Sequence, residues 1–122
     1  GGLRSEPEGS LGLSEMLSRT WGSSTENLSE MQIYELQDQL AAGTGAFTGR
    51  NSVGVSMECL NSFERPVANI FSEILLKPVF KKEILQREKE ILKNQIRKKN
   101  DNPAQICSLN FHQLMFSGHP YA

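Results

Sequence analysis

The sequence predicts an α+β fold in which helices stack on one face of an antiparallel sheet. Two observations lead there. Apolar residues recur at helical spacing on both sides of one short region, and inside that region the period drops from about 3.6 to about 2. Turn-forming residues then cut the chain into short segments that pack as layers.

Gly1 to Ser10 reads as the tail of a strand and a loop, broken by Pro7 and Gly9. Leu13, Met16, Leu17 and Trp21 give a first helix that stops at Gly22-Ser23-Ser24-Thr25. Ser29 with Gln32 three residues on is a capping-box start. The helix it opens carries Ile33, Leu36 and Leu40, and Gly43 is its expected C′ residue. Val53, Val55, Met57 and Cys59 alternate with small or polar residues, as in a half-buried strand. Its expected hairpin partner is 45–48, joined through Gly49-Arg50-Asn51. Two strands are marginal alone, so the sheet is expected to gain strands from elsewhere. Phe63, Val67, Ile70, Phe71 and Ile74 mark a third helix, with Pro66 in its first turn and Pro78 beyond its end. Residues 83–99 form a long charged helix lined by Ile84, Leu85, Ile91, Leu92 and Ile96, with Glu83 and Arg87 paired one turn apart. Asn102-Pro103 caps a last helix through Ile106, Leu109, Leu114 and Met115, and a loop follows. No internal repeat is visible.

The 122 residues make one domain at most, here a single partial domain, with a modest core. Hydrophobic residues at 38% and charged residues at 22% are a globular balance. A net charge of -1 leaves no electrostatic footprint for nucleic acid or an anionic membrane. No apolar run is longer than Ile74-Leu75-Leu76, so no membrane span is expected. No signal peptide is visible, and the Gly1-Gly2 start points to a processed chain or a piece of a larger one. Bacterial periplasm, cytoplasm and an organelle all stay open as compartments.

Several residues invite a functional reading beside a plainer one. His112, His119 and Cys107 match no zinc spacing, so His119 reads as a turn residue and His112 as a helix-surface or cap residue. Cys59 and Cys107 read as buried small apolar side chains. Lys93, Arg97, Lys98 and Lys99 read as a solvated helix end that complements the helix dipole. Trp21 reads as core or domain interface. Glu88 stands seven residues before Gln95, beside Ile84 and Ile91, and is expected to be partly buried.

Four stretches, in this order, resemble one family. Gly2-Leu3-Arg4-Ser5-Glu6-Pro7 followed by Gly12-Leu13 resembles the glycine-rich lead into the first helix of pitrilysin-type domains. Ser24-Thr25 stands where those domains have Gly-Thr, and Gly49-Arg50-Asn51-Ser52 stands at their hairpin. Leu76-Lys77-Pro78-Val79-Phe80, Arg87-Glu88, Asp101-Asn102-Pro103 and Gly118-His119-Pro120-Tyr121 follow their second half. Across essentially the whole chain the sequence is similar to the pitrilysin/insulinase family of zinc metallopeptidases.

The resemblance implies the LuxS/mitochondrial-processing-peptidase-like metallohydrolase fold, and it implies where a metal centre belongs. In that family an inverted motif, HxxEH, lies on the first helix. Its histidines share a face and bind zinc, its glutamate is the general base, and a glutamate from the long later helix is the third protein ligand. Carried over residue by residue, Glu15 stands at the first histidine, Ser18 at the base, Arg19 at the second histidine and Gln95 at the third ligand. None of the four residues present is the one that chemistry uses. Arginine is a permanent cation and ligates no metal. This is the pattern of the family's non-catalytic half, which implies no catalytic residue and no zinc in this segment. Zinc is expected in an active half, in the same chain or in a partner subunit, with an extended peptide as substrate. The family's inactive half also supplies an arginine and a tyrosine to the substrate, expected beyond Ala122. The alternative is a family member without catalysis that acts as a scaffold or assembly subunit. An HxxEH motif elsewhere in the same chain or in an adjacent reading frame separates the two. Glu15, Arg19 and Gln95 are expected to meet, with Arg19 paired to Glu15.

Overall fold

The computed structural model describes residues 1–99 and 101–119. The order is α1 (Leu13–Thr20), α2 (Glu30–Gln39), β1 (Gly43–Thr48), β2 (Val53–Glu58), α3 (Glu64–Leu76), α4 (Lys82–Lys99) and α5 (Pro103–Met115), with short 3-10 turns at Leu3–Ser5 and Asn61–Phe63. β1 and β2 form an antiparallel hairpin in which Gly43 faces Glu58 and Thr48 faces Val53. Helices α1 and α3 pack on it. The fold is the expected α+β layering. Among the described residues no third strand joins the sheet.

Local chemistry accounts for several boundaries. Ser29 Oγ accepts from the Gln32 N–H, and Gln32 Oε1 accepts from the Ser29 N–H at 2.9 Å, so both arms of the α2 capping box are present. Asn102 Oδ1 accepts from Ala104 and Gln105 N–H groups, with Pro103 at the first helical position of α5. The other end of α2 departs from expectation. Gly43 opens β1, and Ala41 takes the positive φ of 45° that ends the helix. A tight connection of Leu40, Ala41 and Ala42 forces an alanine where glycine would sit without cost. The first residues form a 3-10 turn rather than a strand tail.

The core is small. Ile33, Ile70 and Ile74 form its centre, with Trp21, Leu28, Leu36, Leu40 and Val55 packed around them. Burying each isoleucine contributes about 1.5–3 kcal/mol. Trp21 joins this core, and its Nε1 donates to the Ile74 carbonyl at 3.1 Å. The cysteines do not: Cys59 is half-buried and Cys107 exposed. Cys107 lies on α5, a helix with no buried residue.

Two pairs of the four stretches meet in space. Ser24 and Thr25, both buried, form a bridge to the chain after α3. Ser24 Oγ donates to the Val79 carbonyl at 2.8 Å, and Thr25 pairs with Pro78. At the other end, the Leu3 and Arg4 N–H groups donate to the Gly49 and Arg50 carbonyls of the hairpin loop. The approach leaves no room for a side chain at Gly2, whose φ is 74° and whose Cβ would collide with the Gly49 carbonyl oxygen.

This N-terminal turn carries an unexpected cap. α1 starts at Gly12 with φ 93° and has no side-chain cap of its own. Glu6 supplies one: its two carboxylate oxygens accept the Gly12 and Ser14 N–H groups, each at 2.7 Å. Burial alone raises the Glu6 carboxyl, but the hydrogen bonds from Ser14 and Gly12 outweigh it, and the group sits below its ordinary value of 4.5. A carboxyl depressed in the folded state contributes stability that is full above the unfolded value and is lost as pH falls through the folded one. Glu6→Gln is therefore expected to cost about 1 kcal/mol at neutral pH. In urea titrations at a series of pH values, the variant and parent should converge in acid.

Candidate functional site

The site lies where α1 crosses α4. α1 is anchored at both ends, by the Glu6 cap and by Trp21 just past its last residue, whose Nε1 donates to the Ile74 carbonyl of α3. Glu15 and Arg19 stand one turn apart on it, acid first, the favourable order for a helical pair. Arg19 Nε donates to Glu15 Oε1 at 2.7 Å. Its Nη2 donates to Gln95 Oε1, also at 2.7 Å, across 76 positions of sequence. Glu15, Arg19 and Gln95 therefore meet. Ser18 turns back instead, and its Oγ donates to the Glu15 carbonyl.

The arrangement extends beyond these residues. Arg19 Nη1 lies 4.0 Å from Glu88 Oε2, and the Glu88 side chain is only 14% exposed, partly buried as expected. Arg87 reaches Glu88 through Nε at 3.2 Å. Its two terminal nitrogens donate to both oxygens of Glu30 on α2, at 3.1 and 2.6 Å. Such a fork-on-carboxylate pair is stronger and more directional than a point contact. The Arg87 hydrogen bonds hold the Glu30 carboxyl below the usual glutamate range, against a smaller opposing effect of burial. The expected Glu83–Arg87 pair is replaced by this contact. Arg87 reaches across the surface to α2, where a bidentate partner outcompetes a solvated neighbour on its own helix. Glu30 was not foreseen because it is remote from Arg87 in sequence; its place in the first turn of α2 was the only local signal.

A charge ladder results, Glu15–Arg19–Glu88–Arg87–Glu30, running from α1 over α4 to α2. It borders a cavity of ≈ 300 Å³ also lined by Trp21 and Tyr34. Among the described residues no buried side-chain nitrogen or oxygen lacks a partner. Among the same residues, no three His, Cys, Asp or Glu side chains group as metal ligands do. His112 sits on the α5 surface with Nδ1 2.7 Å from the Ser108 carbonyl. The His119 N–H donates to the Phe116 carbonyl in the turn that follows. Pro120, Tyr121 and Ala122 lie outside the described residues.

Arg19 serves three side chains, two of them from another helix. Removing it strands the Glu88 carboxylate, whose side chain is only 14% exposed, while the exposed Gln95 amide turns to water. Arg19→Ala is expected to destabilise the fold by about 1–3 kcal/mol, beyond the ~0.2–1 kcal/mol of an exposed pair. Chemical denaturation of parent, Arg19→Ala and Arg19→Lys measures it, with the lysine variant intermediate because it keeps the charge and loses the fork.

No helix among the described residues is long and apolar enough to cross a membrane. The fold matches the crystal structure of a protease from Helicobacter pylori with a TM-score of 0.85 at 20% identity, over 99% of this chain and 30% of that one. It matches the crystal structure of a peptidase M16 inactive domain from Pseudomonas fluorescens with a TM-score of 0.77 at 22% identity, over 88% of this chain and 26% of that one. The chain thus spans less than a third of the length of either protein. The family model for insulinase (peptidase family M16) matches residues 1–122. With that match across its whole length, and with the fold those two structures share, the chain belongs to the insulinase family, peptidase family M16.

Proposed function

We propose that this chain is a zinc-less, non-catalytic half, or part of a partner subunit, of a zinc metalloendopeptidase. In this reading it pairs with an active half that carries HxxEH, and the two enclose a peptide substrate that only the active half cleaves. One observation carries the reading. At the crossing where the family's active halves would bring their ligands together, the Arg19 guanidinium stands between Glu15 and Gln95. That donor set does not fit a zinc ion. A guanidinium has no lone pair to give and repels a divalent cation, and an amide is a weak ligand beside a carboxylate. Ser18 lacks the basicity to deprotonate a metal-bound water. Glu15, Ser18, Arg19 and Gln95 are read as the degenerate motif positions. Support also comes from the M16 match and from the likeness to a domain described as inactive.

Metal analysis of the purified, undialysed protein should find no stoichiometric zinc, and a quenched peptide should stay intact. Adding a subunit that carries an intact HxxEH should give a stable complex and cleavage. Stoichiometric zinc that disappears on Glu15→Ala, or cleavage by the chain alone, contradicts the reading. A complex that forms without any cleavage favours a scaffold role instead.

A further inference from the structure

The long helix α4 is attached to the rest of the molecule in an unusual way. Only Ile84 of its 18 residues is buried. Leu85, Glu88 and Leu92 are half-buried, while Ile91 and Ile96 are exposed. The helix that follows it has no buried residue. The core centred on Ile33, Ile70 and Ile74 takes no side chain from α4 or α5. α4 packs chiefly on α1, and the seam facing the body runs Ile84, Leu85, Glu88, Leu92, Gln95. Polar teeth thus interrupt an apolar line, and each tooth is met by a guanidinium.

Beyond Ile84 and the half-buried Leu85 and Leu92, the contacts that seat α4 are electrostatic. Arg19 holds Gln95 and Glu88 from α1. Glu30 holds Arg87 from α2 through two hydrogen bonds. The cavity beside them presents no unsatisfied buried group that a ligand would complete, so the ladder is better read as a fastening than as a binding site.

We propose that the Glu15–Arg19–Glu88–Arg87–Glu30 ladder is a latch, and that α4 with α5 forms an arm which releases from α1 and α2 without opening the core. Ile84, at the N-terminal end of α4, is the pivot. Polar contacts in a helix seam fix register because a shifted helix leaves them unpaired. Salt screens and weakens them, whereas it does not weaken apolar burial in this way. The Arg87 side chain is 49% exposed, so its pairs are screened as the Debye length shortens from about 10 Å at 0.1 M to about 3 Å at 1 M. The inference stands on the placement of these helices and is independent of the peptidase reading.

Hydrogen exchange of the whole chain, followed by mass spectrometry in low and in ~1 M salt, tests it. Amides of residues 88–95 should exchange about three- to tenfold faster in high salt, while those of α3 keep their protection. Glu30→Gln and Arg87→Gln should each produce the same acceleration at low salt and blunt the response to salt. Two variants are used because Glu30 also stabilises the start of α2, and Arg87 does not. Equal acceleration of α3 and α4 means global loosening and overturns the latch. So does unchanged α4 exchange in both variants.

Discussion

The Arg19 guanidinium joins two helices through a hydrogen bond to Gln95, 76 positions away in the chain. Without it, α1 and α4 would cross with a carboxylate and an amide facing one another and no cation between them. A half-buried carboxylate such as Glu88 is tolerated only with a partner. The position of α4 follows from this contact, because α4 brings only Ile84 into the interior. A zinc ion and a guanidinium can tie the same crossing in different ways. The ion draws donors into a tetrahedral shell, whereas the guanidinium is planar and donates outward to acceptors on several sides.

That contact depends on the placement of α1, a helix of eight residues. So short a helix is not stable by its own propensity. The structure holds it from outside: the Glu6 carboxylate closes its first turn, and the Trp21 indole ties its end to the Ile74 carbonyl. Glu6 is in turn held by the N-terminal turn, which hydrogen-bonds to the hairpin loop through Leu3 and Arg4. Residues at the start of the chain, at the hairpin and in α3 thus converge on the orientation of one arginine.

Much of this was legible in the sequence where the controlling interaction is local. The Ser29 and Gln32 capping box and the Asn102-Pro103 start obey rules spanning three residues, and both stand where expected. The change of period at Val53 marked the hairpin, although β1 begins two residues earlier than the alternation indicated. The meeting of Glu15, Arg19 and Gln95 was legible by a different route, the register of the family resemblance. Periodicity alone says nothing about which helices cross. What escaped is long-range. Glu6 caps a helix from six and eight residues away through an irregular loop, and no capping rule has that reach. Arg87 prefers Glu30 to Glu83 because of tertiary geometry. Ala41 takes the left-handed position because the connection into β1 is short. Cys59 and Cys107 read as buried by residue type, yet α5, which carries Cys107, meets little else among the described residues.

The central claim is that Arg19 occupies the place of a metal ion, with Glu15 and Gln95 in the places of its ligands. The most direct test is to rebuild the motif in one variant, Glu15→His, Ser18→Glu, Arg19→His and Gln95→Glu, and to measure zinc by elemental mass spectrometry alongside circular dichroism. The account predicts stoichiometric zinc that falls sharply when Gln95 is left unchanged. A variant with the parent's circular dichroism that takes up no more zinc than the parent would contradict it.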